Sequence, residues 1–121
     1  MPGRCIVCAL PGDYYCKHCQ QRARNATWES FLHWAANYAL AIDGWPPNIS
    51  EEDCALCALH DCYDCPLERY GMGCIPWGEE TTPYGEVYMA LCHGQPTDQP
   101  AEVMALCLLF VYYALGGRRT A

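Results

Sequence analysis

The stretch that decides the fold is CIVCALPGDYYCKHC, residues 5–19, which holds two Cys-x-x-Cys pairs separated by seven residues. Each pair places two thiolates on a tight turn, and two such turns complete the tetrahedral, all-thiolate shell of a structural Zn²⁺ site. We therefore predict one zinc ion bound by Cys5, Cys8, Cys16 and Cys19. Turn-forming residues followed by two tyrosines lie between the pairs and predict a short β-hairpin.

The residues after Cys16 have helical composition, so the second pair is predicted to open a helix whose N-terminal dipole stabilises thiolate charge. The whole segment resembles a small zinc ribbon or treble clef, a motif shared by proteins of many functions. We therefore predict a mainly α protein, a small helical domain built around one or two zinc sites with a short N-terminal β-hairpin ribbon. The ribbon-like module is assigned to residues 1–26 and the helical, cysteine-rich domain to residues 27–121, packed as one unit.

A second group of five cysteines lies in the middle of the chain, where five thiols compete for four metal positions. We expect the ligands to be Cys54, Cys57, Cys62 and Cys65, with Cys74 as the first substitute. The acidic run after Ser50 and the Cys65-Pro66 step each predict a helix start. His60, Cys92 and His93 are further candidate metal ligands. An iron–sulfur cluster is the alternative to zinc, because Cys-Pro endings occur in ferredoxins.

The same region resembles uncharacterised cysteine-rich proteins of tailed bacteriophages. The matching residues are Cys54-Ala-Leu-Cys57, Cys62-Tyr-Asp-Cys-Pro-Leu67, Cys74 and Thr82-Pro-Tyr84, and the likeness covers residues 45–92. The resemblance implies a phage or prophage origin and expression in the cytoplasm of a bacterial host. It implies no particular activity.

Apolar residues at helical spacing predict three longer helices. The first has an apolar stripe and ends at Asp43-Gly44; the stripe is Trp28, Phe31, Leu32, Ala35, Tyr38, Ala39 and Ile42. Within it, Trp34 lies off the stripe, which allows exposure, although a core position is the default for tryptophan. The second helix begins at Thr82-Pro83, carries Tyr84, Val87, Tyr88 and Leu91 on one face, and ends near His93-Gly94.

The last helix is predicted to begin at Pro100 and to end at Gly116-Gly117. Its apolar run, Val103–Leu115, is shorter than the ~20 residues of a membrane span, so we predict a helix buried on all sides. If it is not buried within one chain, part of its surface is expected to pair with another subunit, which makes a homo-oligomer through residues 100–115 an open alternative.

Cysteine usage and the N-terminal sequence favour a reducing compartment. The 121 residues include eleven cysteines, an odd number that a complete disulfide framework would not use up. The first residues lack the apolar stretch of a secretory signal. We therefore expect a cytoplasmic metalloprotein, with a mature secreted fragment as the alternative.

Charge is unevenly distributed. The net charge is −7 overall, but residues 43–102 hold twelve acidic residues against Arg69 alone, a net charge of −11. Such a field repels phosphate and attracts basic partners, although an acidic surface also serves solubility alone. The surface loop over residues 71–82 contains Trp77, Glu79 and Glu80, which we expect to contact a partner. The alternative for Trp77 is packing over the metal site.

No phosphate-binding loop, HExxH, GxSxG or zinc-deaminase motif occurs, and filled four-cysteine shells leave a metal no open position. We therefore predict a protein that is not an enzyme and that binds a host bacterial protein. Host complexes that handle nucleic acid, including defence complexes, are the expected targets. The alternative is a zinc-ribbon nucleic-acid-binding or transcription accessory protein that uses Arg4, Lys17, Arg22 and Arg24.

Overall fold

The structure, a computed structural model, describes residues 15–50, 55–59, 65–70, 72 and 82–117, with the side chains of residues 57 and 58 excepted. These residues form five helices and no strand: α1 (Lys17–Ile42), α2 (Ala55–Leu59), α3 (Pro66–Arg69), α4 (Pro83–Cys92) and α5 (Asp98–Ala114). The prediction of a mainly α protein is confirmed. The predicted N-terminal β-hairpin falls on residues outside the described part of the chain.

Helix α1 begins at the second cysteine pair, as predicted, and is a single helix of 26 residues. It ends at the predicted position, with Asp43 as the C-cap residue and Gly44 at a φ of 83°, which glycine adopts without steric cost. The helix runs without interruption through residues 26 and 27. The division into two modules at that point remains a prediction.

The prediction of which face of α1 is buried is only partly right, because Phe31 and Tyr38 of the predicted stripe pack against the core but the fully buried residues lie on a neighbouring face. The buried residues are Cys19, Ala23, Ala26, Thr27, Ser30, Trp34 and Asn37. Trp28 and Leu32, which belong to the predicted stripe, are 37% and 50% exposed. The core uses the face with small side chains because alanine, serine and threonine let the backbones of neighbouring helices approach closely.

Helices α1 and α5 are the most extensively packed pair among the described helices, and they run antiparallel. Gln20 and Arg24, near the start of α1, donate hydrogen bonds to the carbonyl of Leu115 at the end of α5. Near the other end, Tyr38 hydrogen-bonds Glu102. Helix α2 packs on α1, and α3 and α4 pack on α5. The largest fully buried side chains of this core are Leu56, Leu67, Met104, Leu108 and Leu115.

The polar residues on the buried face of α1 have hydrogen-bond partners. Thr27 Oγ1 donates to the carbonyl of Ala23 at 2.7 Å, and Ser30 Oγ accepts the backbone N–H of Leu56 at 3.3 Å. The Asn37 amide exchanges two hydrogen bonds with the backbone of Asn48. Burial of these groups therefore leaves them paired, as a stable core requires.

The starts of α3 and α4 follow the predicted capping residues, whereas the helix start predicted after Ser50 falls on residues 51–54, outside the described part of the chain. Thr82 is the N-cap of α4 and accepts the N–H of Gly85 at 3.0 Å, with Pro83 in the first turn. His93 is its C-cap residue. Helix α3 starts at Pro66, directly after Cys65. On the predicted apolar face of α4, Val87 is buried, whereas Tyr88 is half exposed.

Helix α5 begins two residues before Pro100 and ends at the predicted glycines, but it is not buried on all sides. Four large side chains are 41–58% exposed: Val103, Leu106, Phe110 and Tyr113. Helices α1, α3 and α4 pack on α5 and leave these side chains largely uncovered, apart from an edge contact at 6.0 Å between the rings of Tyr70 and Phe110. None of the described helices is both long enough and apolar enough to cross a membrane.

Candidate functional site

The second cysteine pair forms the first turn of α1. Cys16 is the N-cap residue, in an extended conformation with φ −69° and ψ 167°, and its Sγ accepts the backbone N–H of Cys19 at 3.4 Å. Cys16 and Cys19 are buried, with 7% and 5% of their surfaces exposed. The turn therefore brings two thiols into one sheltered place, with a backbone N–H donated to one of the sulfurs.

This geometry suits thiolates that bind a metal ion. The N-terminal N–H groups of α1 carry partial positive charge, which stabilises a sulfur anion, and the hydrogen bond to Cys16 adds to that effect. A Cys-x-x-Cys turn supplies two of the four ligands in a tetrahedral zinc site. The chemistry of these donors fits zinc. The other two predicted ligands, Cys5 and Cys8, lie outside the described residues.

Aromatic and cationic side chains surround the start of α1. Tyr15, the residue before the cysteine pair, is buried with 3% exposure. The guanidinium of Arg69 lies 5.8 Å from the centre of the Tyr15 ring and 5.3 Å from that of Tyr70. The cationic side chain at the C-terminal end of α3 thus lies beside the residue that precedes Cys16.

The second predicted metal site remains a prediction. Cys54, Cys62 and Cys74 fall outside the described residues, and Cys57 is described only as part of the α2 backbone. Cys65 is half-buried and is the N-cap residue of α3, where its side chain makes no capping hydrogen bond. In the described part of the chain, no three histidine, cysteine or acidic side chains come together as a metal-binding group.

The predicted partner-binding residues, Trp77, Glu79 and Glu80, also lie outside the described residues. The structure describes five acidic residues of the central segment: Asp43 is the C-cap residue of α1, Asp98 is the first residue of α5, and the other three lie on three helices. Glu68 lies on α3, Glu86 on α4 and Glu102 on α5, and the last two are exposed.

Arg24 has a structural role that the sequence did not reveal. One of its guanidinium nitrogens lies 3.4 Å from the carbonyl oxygens of Leu115 and Gly116, and the other bonds Gln21. A cation at these carbonyls stabilises the C-terminal end of α5. No local sequence signal could have indicated this, because the two partners are 91 residues apart. Of the basic residues assigned to nucleic-acid binding, Lys17 and Arg22 are exposed.

A groove of about 420 Å³ lies between the end of α4 and the start of α5, with Glu86, His93 and Asp98 among its lining residues. These three side chains do not form a metal-binding group.

No known protein family, no curated protein and no solved structure matches the chain.

Proposed function

We propose that the protein is a small, zinc-stabilised interaction protein of phage type that is not an enzyme. Its acidic central segment binds a bacterial host protein that normally handles nucleic acid, including proteins of defence complexes, and modulates or inhibits it. The observation that carries this proposal is the uncompensated negative charge of residues 43–102.

The single basic residue of that segment supports the proposal by its position. Arg69 is held over the rings of Tyr15 and Tyr70, at the start of α1, while Glu86 and Glu102 are exposed on other helices. Proteins that grip nucleic acid present clustered lysine and arginine, and an acidic surface competes for those side chains. Exposed carboxylates on α4 and α5 would be among the groups that such a partner contacts.

A tyrosine near the acidic residues reports the same field. The charge of Glu102 raises the pKa of Tyr38 above its ordinary value, with burial, a hydrogen bond to Glu102 and the charge of Asp98 adding to the effect. A raised phenol pKa is the expected response to a negative potential, because that potential disfavours the phenolate.

Zinc would have a structural role in this proposal. Cys16 and Cys19 would supply two thiolates at the start of α1, with Cys5 and Cys8 as the other ligands. When bound, the metal would fix the N-terminal segment to the helix that packs most extensively on α5. A shell of four thiolates has no open position for a substrate.

The test is affinity capture from a bacterial lysate over a series of salt concentrations, with the bound proteins identified by mass spectrometry. The E79Q/E80Q variant removes two charges from the acidic segment, and the matched control E29Q removes one from the basic N-terminal part. We expect a nucleic-acid-handling protein that is retained at low salt, released at high salt, and retained less by E79Q/E80Q than by E29Q.

Capture of no such protein, or capture that is independent of salt, would contradict the proposal. A gel-shift assay with DNA and RNA at low salt distinguishes the nucleic-acid-binding alternative, because the acidic interaction protein is expected to produce no shift. Native mass spectrometry reports the zinc content separately: two ions indicate both cysteine groups, one indicates a single site, and none contradicts the role of zinc.

A further inference from the structure

We infer that two copies of this chain form an antiparallel dimer in which α1 and α5 of each copy build a four-helix bundle. The surface concerned, here called the outer face, is the exposed side of the α1–α5 pair. Its members on α1 are Trp28, Leu32, Ala35, Ala39 and Ile42, and its members on α5 are Val103, Leu106, Phe110 and Tyr113.

The spacing on both helices is that of a helix-packing seam. The α5 members are separated by three, four and three residues, and the α1 members by four, three, four and three. This alternation is the a/d pattern of helices that pack side by side at a shallow crossing angle. One such stripe is unremarkable on a surface, but two on adjacent antiparallel helices match half of a four-helix bundle.

The outer face is exposed in the single chain and continuous across the two helices. Its seven large side chains, all members except the two alanines, are 37–60% exposed. The Trp28 ring lies 4.9 Å from that of Tyr112, and the Tyr112 ring lies 5.6 Å from that of Tyr113. Aromatic contacts therefore connect the α1 stripe to the α5 stripe.

The area is sufficient for a dimer. A large apolar side chain has ~150–250 Å² of surface, so seven that are about half exposed present on the order of 500 Å² per copy. Two copies would bury about 1,000 Å², the lower bound for a specific interface. A patch of this size is comparable to the largest apolar patch of a typical monomer, and such patches are often functional.

Charge selects a second copy in antiparallel orientation. Lys17 and Arg24 lie at one end of the α1–α5 pair, where Arg24 contacts Leu115. Asp98 and Glu102 lie at the other end, close to Tyr38. A two-fold axis perpendicular to the helices places the basic end of one copy against the acidic end of the other. In a parallel dimer, like charges would face each other.

The dimer leaves the acidic residues of α4 outside the interface. Helix α4 packs on the buried side of α5, so Glu86 lies away from the outer face. Asp98 and Glu102 belong to the acidic segment and would face the other copy, so the two proposals share these residues. The dimer is tested on the isolated chain and host binding is tested by capture, so either can fail without the other.

Sedimentation velocity of the full chain tests the dimer, with F110K and L32K as outer-face variants. Both positions are at least half exposed, so the monomer should keep its helical circular dichroism. The matched control is M89K, which changes a 49% exposed residue on α4. We expect a dimer for the wild-type chain and for M89K, and monomers for F110K and L32K.

Each other outcome overturns part of the inference. A wild-type monomer at every accessible concentration would mean that another protein, or another segment of this chain, covers the outer face. A dimer that survives L32K but not F110K would exclude α1 from the interface. Dissociation by M89K as readily as by F110K would mean that the interface is not the outer face.

Substitutions of Gln99 test whether the dimer is antiparallel. This residue is exposed and uncharged, and it lies four residues before Val103, the first member of the α5 stripe. In the antiparallel dimer it faces the basic end of the other copy, so Q99E should strengthen the dimer and Q99K should weaken it. The expected change in dissociation constant is about threefold to tenfold in each direction, since the two-fold axis repeats each contact. If Q99K strengthens the dimer and Q99E weakens it, the acidic ends face each other and the orientation is parallel. Weakening by both variants would also contradict the antiparallel orientation.

Discussion

Asn37 is predicted to stabilise the fold by binding the segment that follows α1. The residue is 1% exposed, and its amide makes two hydrogen bonds with the backbone of Asn48: Nδ2 donates to the carbonyl and Oδ1 accepts the N–H, both at 2.9 Å. An intramolecular hydrogen bond contributes about 0.5–1.5 kcal/mol net. Asn37→Ala should therefore lower the free energy of unfolding by about 2 kcal/mol, or lower Tm by about 8 °C in a domain of this size.

The measurement is urea and thermal unfolding followed by circular dichroism. Asn25→Ala is the matched control, because Asn25 lies exposed on the same helix and only accepts a bond from Gln21. Both substitutions gain the same helix propensity, so their difference isolates the two buried bonds. The control should change the free energy of unfolding by less than about 0.5 kcal/mol. Equal effects of the two substitutions would refute the assigned role of Asn37.

Three further predictions concern the core and the titratable groups. Leu108→Ala removes a fully buried side chain of α5 and should lower the free energy of unfolding, measured with urea, by about 2–5 kcal/mol. A decrease of less than about 1 kcal/mol would show that Leu108 is not packed as described. Burial raises the pKa of the Cys107 thiol, whereas Cys92 is exposed. Iodoacetamide should therefore label Cys92 before Cys107, and peptide mass spectrometry would show the order. Labelling of Cys107 before Cys92 would contradict the burial of Cys107. The Tyr38 pKa is raised in the folded protein, so the contribution of Tyr38 to stability is present below the ordinary pKa of 10.0 and is lost as the pH rises through the higher, folded-state pKa. In an NMR titration, Glu102→Gln should lower the pKa of Tyr38. An unchanged pKa would exclude Glu102 as the cause.

Helix ends could be predicted from the sequence because their causes are local. Thr82 caps α4 through its own side chain, three residues from the N–H it accepts. Gly44 and Gly116 follow helices at φ values of 83° and 91°, where other residues are strained. The start of α1 at the second cysteine pair is likewise predicted, from the helical composition of the residues that follow it, and the structure places Cys16 at the N-cap.

The buried face of α1 could not be predicted from the sequence because its cause is not local. Apolar periodicity indicates which residues favour removal from water, and on α1 these include Trp28, Leu32 and Ile42. In the single chain, α5 instead packs on the side that includes Ala23 and Thr27, where small side chains permit a close approach. Periodicity thus identifies an apolar stripe without identifying what covers it.

The exposed apolar stripe of α1 and the polar residues on its buried face are both expected if α1 packs on two sides, once within its own chain and once in the inferred dimer. A helix that contacts neighbours on one side within its own chain and on another side across an interface needs two faces suited to burial. The inner face of α1 meets this need with small residues and hydrogen-bonded polar groups, such as Ser30 with Leu56 and Asn37 with Asn48. The outer face meets it with large apolar residues in seam spacing. Each of the two longest described helices has an inner face that the core covers and an outer face that it does not, which is the pattern expected of half a bundle.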